Sequence, residues 1–142
     1  MSFVHVGNMG GQNYKAEVLM AAVSIVAGSI IYNVSGYGSN ATVGNVKTHN
    51  LIGVTTKAVD NSGGSVGDLS VLTEMSPLAL YEVGTAGTLD QTQIWTNMTL
   101  EDLVSVDEND AADTDTGVCK ARQMISTSKA LVSLNFASPA DA

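Results

Sequence analysis

Two histidines, one cysteine and fourteen carboxylates are the side chains here that could support acid–base, nucleophilic or metal chemistry. His5 and His49 stand far apart, and neither has a carboxylate at ligand spacing. A histidine metal site or a Ser-His-Asp arrangement needs such partners, so both histidines read as surface residues. Cys119 is alone, which excludes an intrachain disulfide framework and any multi-cysteine zinc site. It reads as a small apolar core residue rather than a nucleophile. Within "DENDAADTDTG", Asp113, Asp115 and Gly117 give a D-x-D-x-G fragment. An EF-hand calcium loop continues with an oxygen ligand at position five and a bidentate Glu at position twelve. Counted from Asp113, those places hold Gly117 and Met124, so the stretch reads as a solvated acidic loop. Asp60, Asp68, Glu74 and Glu82 remain as material for an acid/base pair, but nothing in their spacing raises them above solvated strand ends. "GNMGG" and "SGYGSN" are not followed by the Gly-Lys-Ser/Thr of a phosphate cradle. No catalytic residue, cofactor site or metal site is therefore expected, and the chain is read as a non-enzyme.

Composition narrows the classes further. Of the 142 residues, 44% are hydrophobic, enough for a real core, while only 14% are charged. Soluble domains carry about 25% charged residues, so this chain suits a protein that covers much of its surface with partners, or one with a Ser, Thr, Asn and Gly surface. Net charge is −8, and half of the fourteen acids fall between Glu101 and Asp115, where there is no Lys or Arg. Such a chain repels phosphate backbones, so nucleic acid is not an expected partner. "VLMAAVSIVAGSIIY" (Val18 to Tyr32) resembles a membrane segment, but its fifteen residues fall short of the ~20 that a spanning helix needs. Ala27-Gly28-Ser29 interrupts it, and Lys15 is followed closely by Glu17, which is not a secretory start. Two strands around a tight turn explain it better, with no membrane contact.

The elements that would hold any site are strands. "SIIYNV", "LIGVTTKAV", "DLSVLTEM", "LALYEV", "QIWTNM", "LVSV", "GVCKARQMI" and "ALVSLNF" are short and rich in β-branched residues, with Gly, Ser, Asn and Asp clusters between them. This pattern predicts an all-β fold, a small β-barrel or β-tulip-like domain. Trp95, inside "QIWTNM", is expected in core or interface packing. "AEVLMAAV" (Ala16 to Val23) has a helical option, and Thr99 with Asp102 in "TLEDLVSV" fits a helix start of about one turn. Residues 1–15 read as an extended N-terminal arm, because Phe3, Val4 and Val6 form an apolar patch before Gly7, Gly10 and Gly11 loosen the chain. Simple terminal disorder is the alternative. Residues 16–138 read as one domain and 139–142 as a tail. At an offset of 64, Ile30 meets Ile94, Asn33 meets Asn97, Gly53 meets Gly117 and Val54 meets Val118, which leaves an internal pseudo-repeat open.

The order of these stretches carries a resemblance. A flexible arm precedes "SIVAGSIIYNVSG", then "NLIGVTTKAVDNSGGSVGDLSVLTEMSPLALYEV", then "GTLDQTQIWT" and a closing "DTGVCKARQMISTSKALVSLNF". Over roughly residues 16 to 136 this resembles the small head-decoration (cement) proteins of tailed bacteriophages and related phage structural proteins of unclassified function. The acidic excursion from Glu101 to Thr116 departs from that pattern. The resemblance implies a virion protein on the outer surface of an assembled capsid, commonly a homo-trimer, with the major capsid protein as its partner. The shell contacts expected are Phe3, Val4, His5, Val6 and Tyr14, because an apolar extended segment can add to another sheet's edge. Cutting off residues 1–13 is then expected to remove shell binding and leave the fold intact. The alternative is a secreted or surface β-module that binds carbohydrate or protein.

Overall fold

A computed structural model describes residues 2–40, 50–112 and 117–136. Its strands are β1 (Val4–Asn8), β2 (Lys15–Leu19), β3 (Ser24–Ile25), β4 (Ile30–Val34), β5 (Tyr37–Ser39), β6 (Leu51–Thr55) and β7 (Val59–Asp60), followed by β8 (Ser70–Glu74), β9 (Ala79–Thr85), β10 (Asn97–Asp102), β11 (Ser105–Ala112), β12 (Cys119–Ser126) and β13 (Lys129–Leu134). The all-β expectation holds. Strands β9, β11, β10, β12 and β13 pair in that order, and β13 returns to β9, closing a five-stranded barrel. All these pairings are antiparallel except β9 with β11, where Ser105 lies opposite Gly84 in parallel.

A second sheet, β2-β8-β6-β4-β5, lies against the barrel. Its face bearing Ile30, Tyr32, Leu51 and Val54 shares one core with Tyr81, Val83, Met98, Leu100, Val118, Cys119 and Val132. Its other face carries Ile31 and Val71, packed with Met20 and Ile25 in a separate small core. Burial on both faces explains the unbroken apolar run in β4, since alternation is needed only where one face meets water. The sheet also curls on itself: Met20 bridges Gly38, and the Ala21 N–H donates to the Gly38 carbonyl at 3.0 Å. Gly53 is required by close crossing of β6 over β8, because a Cβ there would run into the Glu74 carbonyl. Gly28 adopts φ = 72° in the turn between the strands of the apolar segment, as the Ala-Gly-Ser trio predicts.

Residues 4–8, expected as an arm, are extended but not free. They form β1, antiparallel to β9, with His5 opposite Tyr81 and a bulge at Val6. Phe3 is buried, its ring edge-on to Tyr81 at 6.3 Å. The segment that follows is tied down as well: the Met9 N–H donates to Leu78, the Tyr14 N–H to the Ser76 hydroxyl, and the Met75 N–H to Tyr14. The helical option at Ala16 to Val23 gives way to β2, which pairs with β8 along its whole length. The second helical option gives way to the β10–β11 hairpin. There Asp102 accepts from the Val104 N–H and the Ser105 hydroxyl, so its side chain caps a hairpin turn instead of a helix. "QIWTNM" is a strand only from Asn97 onward, since Gln91–Gln93 form one 3-10 turn. The residues at the repeat offset occupy unlike places: Ile30 pairs with Val54 inside the second sheet, whereas Ile94 lies outside any strand and Asn97 pairs with Lys120 in the barrel.

Candidate docking surface

The five residues expected to touch a partner divide by exposure. Val4, Val6 and Tyr14 are 49%, 50% and 59% exposed. Phe3 is 3% exposed and belongs to the core, so it holds the segment down rather than reaching outward. His5 is half-buried: its ring lies 5.5 Å from Tyr81, and its Nε2 is 2.9 Å from the Asn8 side-chain oxygen. Asn8 in turn donates its amide to the Asn13 side-chain oxygen at 2.8 Å. Among the described residues no strand pairs with the outer side of β1. An unpaired edge offers a row of backbone donors and acceptors to an incoming chain. Val4 and Val6 stand on this edge, and exposed Met9, Leu78 and Tyr14 continue the apolar surface past its end.

A second exposed feature had little sequence signal. Trp95 is 63% exposed, which rules out the core half of the core-or-interface expectation, and holds φ = 70°. The Arg122 guanidinium lies 5.8 Å from the indole centroid and donates through Nε to the Ser133 hydroxyl at 2.8 Å. The Trp95 N–H donates to the Ala121 carbonyl, anchoring the turn against β12. The legible signal was Asp90 with Gln93: the Asp90 carboxylate accepts from the Thr92 N–H, and the Gln93 side chain accepts from the Asp90 N–H. Such reciprocal capping marks a helical turn that interrupts a strand just before Trp95. The same bonds from Thr92 hold the Asp90 carboxyl below the usual carboxylate range.

The four carboxylates weighed as acid/base candidates occupy local turns or strand positions. Asp60 is exposed and accepts from the Ser62 N–H and hydroxyl, which hold its carboxyl low. Asp68 is exposed and accepts from the Ser65 N–H, and Glu82 is half-buried on β9. Glu74, read as a solvated strand end, is instead buried. Among the described residues no three His, Cys, Asp or Glu lie close enough to hold a metal. Cys119 is wholly buried, and burial pushes its thiol up to about 12, as suits a packing residue. His49 and the Asp113 and Asp115 of the acidic loop lie outside the described residues. Among the described residues no helix is long and apolar enough to cross a membrane. No family model matches the chain, and no curated protein matches it.

Proposed function

We propose that this chain is a virion structural protein that binds the outer surface of an assembled bacteriophage capsid, contacts the major capsid protein and stabilises the shell as a decoration or cement protein, as a homo-trimer. The observation that carries the proposal is the outer edge of β1, unpaired among the described residues, with Val4 and Val6 exposed on it. Strand addition to such an edge supplies main-chain hydrogen bonds, and the flanking apolar side chains supply burial. The resemblance of residues 16 to 136 to head-decoration proteins supports the same reading, as does the low proportion of charge. Many copies with modest contacts each would hold a shell through their sum.

The test is cosedimentation with expanded capsids of the encoding virus. The unaltered protein is expected to pellet with the shells to saturation. A Val4→Asp/Val6→Asp double variant places two charges on the docking edge and leaves the buried Phe3 in place. Its binding is expected to weaken by about tenfold or more with an unchanged circular dichroism spectrum. Undiminished binding by this variant would overturn the docking surface. No pelleting of the unaltered protein would overturn the function.

A further inference from the structure

Trp95 is the only tryptophan of the chain and Arg122 its only arginine, and the fold sets them side by side. The indole is exposed on a backbone whose φ of 70° a glycine would adopt at no steric cost. Core packing does not offset that strain, because the ring stands outside the core. The backbone under the ring is tied to β12 from both sides: the Trp95 N–H donates to the Ala121 carbonyl, and the Ala121 N–H donates to the Thr96 carbonyl. The guanidinium is held as well, since its Nε donates to the buried Ser133 hydroxyl at 2.8 Å. That bond and the ring contact are its only polar or ring interactions among the described residues, so its remaining N–H donors are unused. Lys120 lies directly opposite Ser133 on the adjacent strand and so shares its face. Its ammonium also has no hydrogen bond or ion pair among the described residues. Both cations thus lack a counter-charge in a chain of net charge −8.

We propose that Trp95 and Arg122, with Lys120 beside them, form a second docking surface, and that its occupant is an acidic segment of a partner protein. The indole covers an apolar side chain of that segment, and the guanidinium and ammonium hold a neighbouring carboxylate. Charge complementarity selects the occupant. A guanidinium fork pairs with a carboxylate through parallel hydrogen bonds, and the lysine adds a point charge. Tryptophan and arginine are also the side chains that most often carry interface binding energy. A saccharide fits less well, because the polar side chains around the indole are already engaged. The Thr96 hydroxyl donates to the Gln93 carbonyl, the Ser133 hydroxyl accepts from Arg122, and the Asn97 oxygen accepts from the Asn135 amide. What stays free is a flat apolar face and cationic donors. Nucleic acid is disfavoured by the net charge. The surface is separate from the β1 edge, because β13 lies between β12 and the β9 strand that β1 joins. The inference does not rest on the capsid reading, and its test needs no shell.

The experiment is a titration of the full chain with the acetylated, amidated peptide Leu-Glu-Leu-Glu, followed by tryptophan fluorescence and by the indole N–H resonance. Because Trp95 is the only tryptophan, both signals come from this surface alone. The uncharged peptide Leu-Gln-Leu-Gln and sodium glucuronate are titrated in parallel. The acidic peptide is expected to saturate both signals, to weaken as salt is raised, and to bind about tenfold or more tighter than its uncharged counterpart. Arg122→Gln is expected to weaken it by about tenfold or more. Arg122→Lys keeps the charge but loses the fork, and should fall between the two. Trp95→Gly suits the local backbone, and is expected to abolish the peptide-induced shifts of the Ala121 and Ser133 amides with the circular dichroism spectrum unchanged. Equal binding of the two peptides, or binding that Arg122→Gln leaves intact, would overturn the proposal. Glucuronate binding as tight as that of the acidic peptide would overturn it in favour of a saccharide. An indole signal that changes with protein concentration alone would overturn it in favour of a second copy of this chain.

Discussion

At the scale of single residues, Trp95 is the most informative. A non-glycine residue at φ = 70° costs about 1 kcal/mol or more, and the exposed Arg122 contact returns about 0.5–1 kcal/mol. The two nearly cancel, so Trp95→Gly, which loses the contact but relaxes the backbone, is expected to stay within about 1 kcal/mol of the unaltered protein. Trp95→Ala loses the contact and keeps the strain, and should be the less stable of the two by about 1 kcal/mol. Denaturant unfolding of both variants decides it: if the alanine variant is the more stable, backbone strain does not govern this turn. The position of Trp95 was not legible in "QIWTNM" itself, because apolar and polar residues mixed over so short a stretch fit a strand as well as a turn. Cys119 was legible, because a lone small thiol in an alternating strand has few other uses. Glu74 was not, because its place on β8 between β2 and β6 depends on strands from distant parts of the chain.

At the scale of elements, most strands were readable from β-branched runs and their separators, but β2 and β10 lay in stretches with a helical option, β5 read as a turn, the Asp107–Ala112 part of β11 read as a solvated acidic loop, and the pairing was not readable. The N-terminal segment shows why. "FVHV" specifies an extended apolar strand, but nothing local says whose edge it joins; it joins β9 of its own chain. The structure therefore changes what truncation should do. Phe3 is buried among core residues, so removing residues 1–13 takes away core as well as a docking edge. Phe3→Ala alone is expected to cost about 3–5 kcal/mol, read from the denaturant midpoint. A loss below about 1 kcal/mol would mean that β1 behaves as the free arm its composition suggests.

At the scale of the whole molecule, both cores carry the fold, and the barrel side of it is sensitive to alkali. Tyr32, Tyr81 and Cys119 are buried, and burial raises all three acids above their ordinary values of 10.0, 10.0 and 9.0, with Cys119 reaching about 12. Unfolding returns them to those ordinary values. Stability is thus fully present below about 9 and is lost as pH rises through the raised values, because the unfolded chain then releases protons that the folded one keeps. Denaturant midpoints should hold from neutral pH to about 9 and fall toward about 12, and Cys119→Ala should move the onset up toward 10.0, where the tyrosines take over. A flat profile across that window would contradict the burial of these groups. The barrel was expected from the sequence as a class, but the strands that close it were not legible, because the pairing of β13 with β9 sets Leu80 opposite Ser133 and leaves no local trace. That pairing also sets a timetable. β1 precedes β9 and can pair with it early, but β11 and β13 follow it, so a chain emerging from the ribosome leaves the β13-facing edge of β9 open until β13 has been synthesised. Barrel closure is then a late, nonlocal and slow step, during which the nascent chain is most exposed to edge-to-edge aggregation and most in need of chaperones.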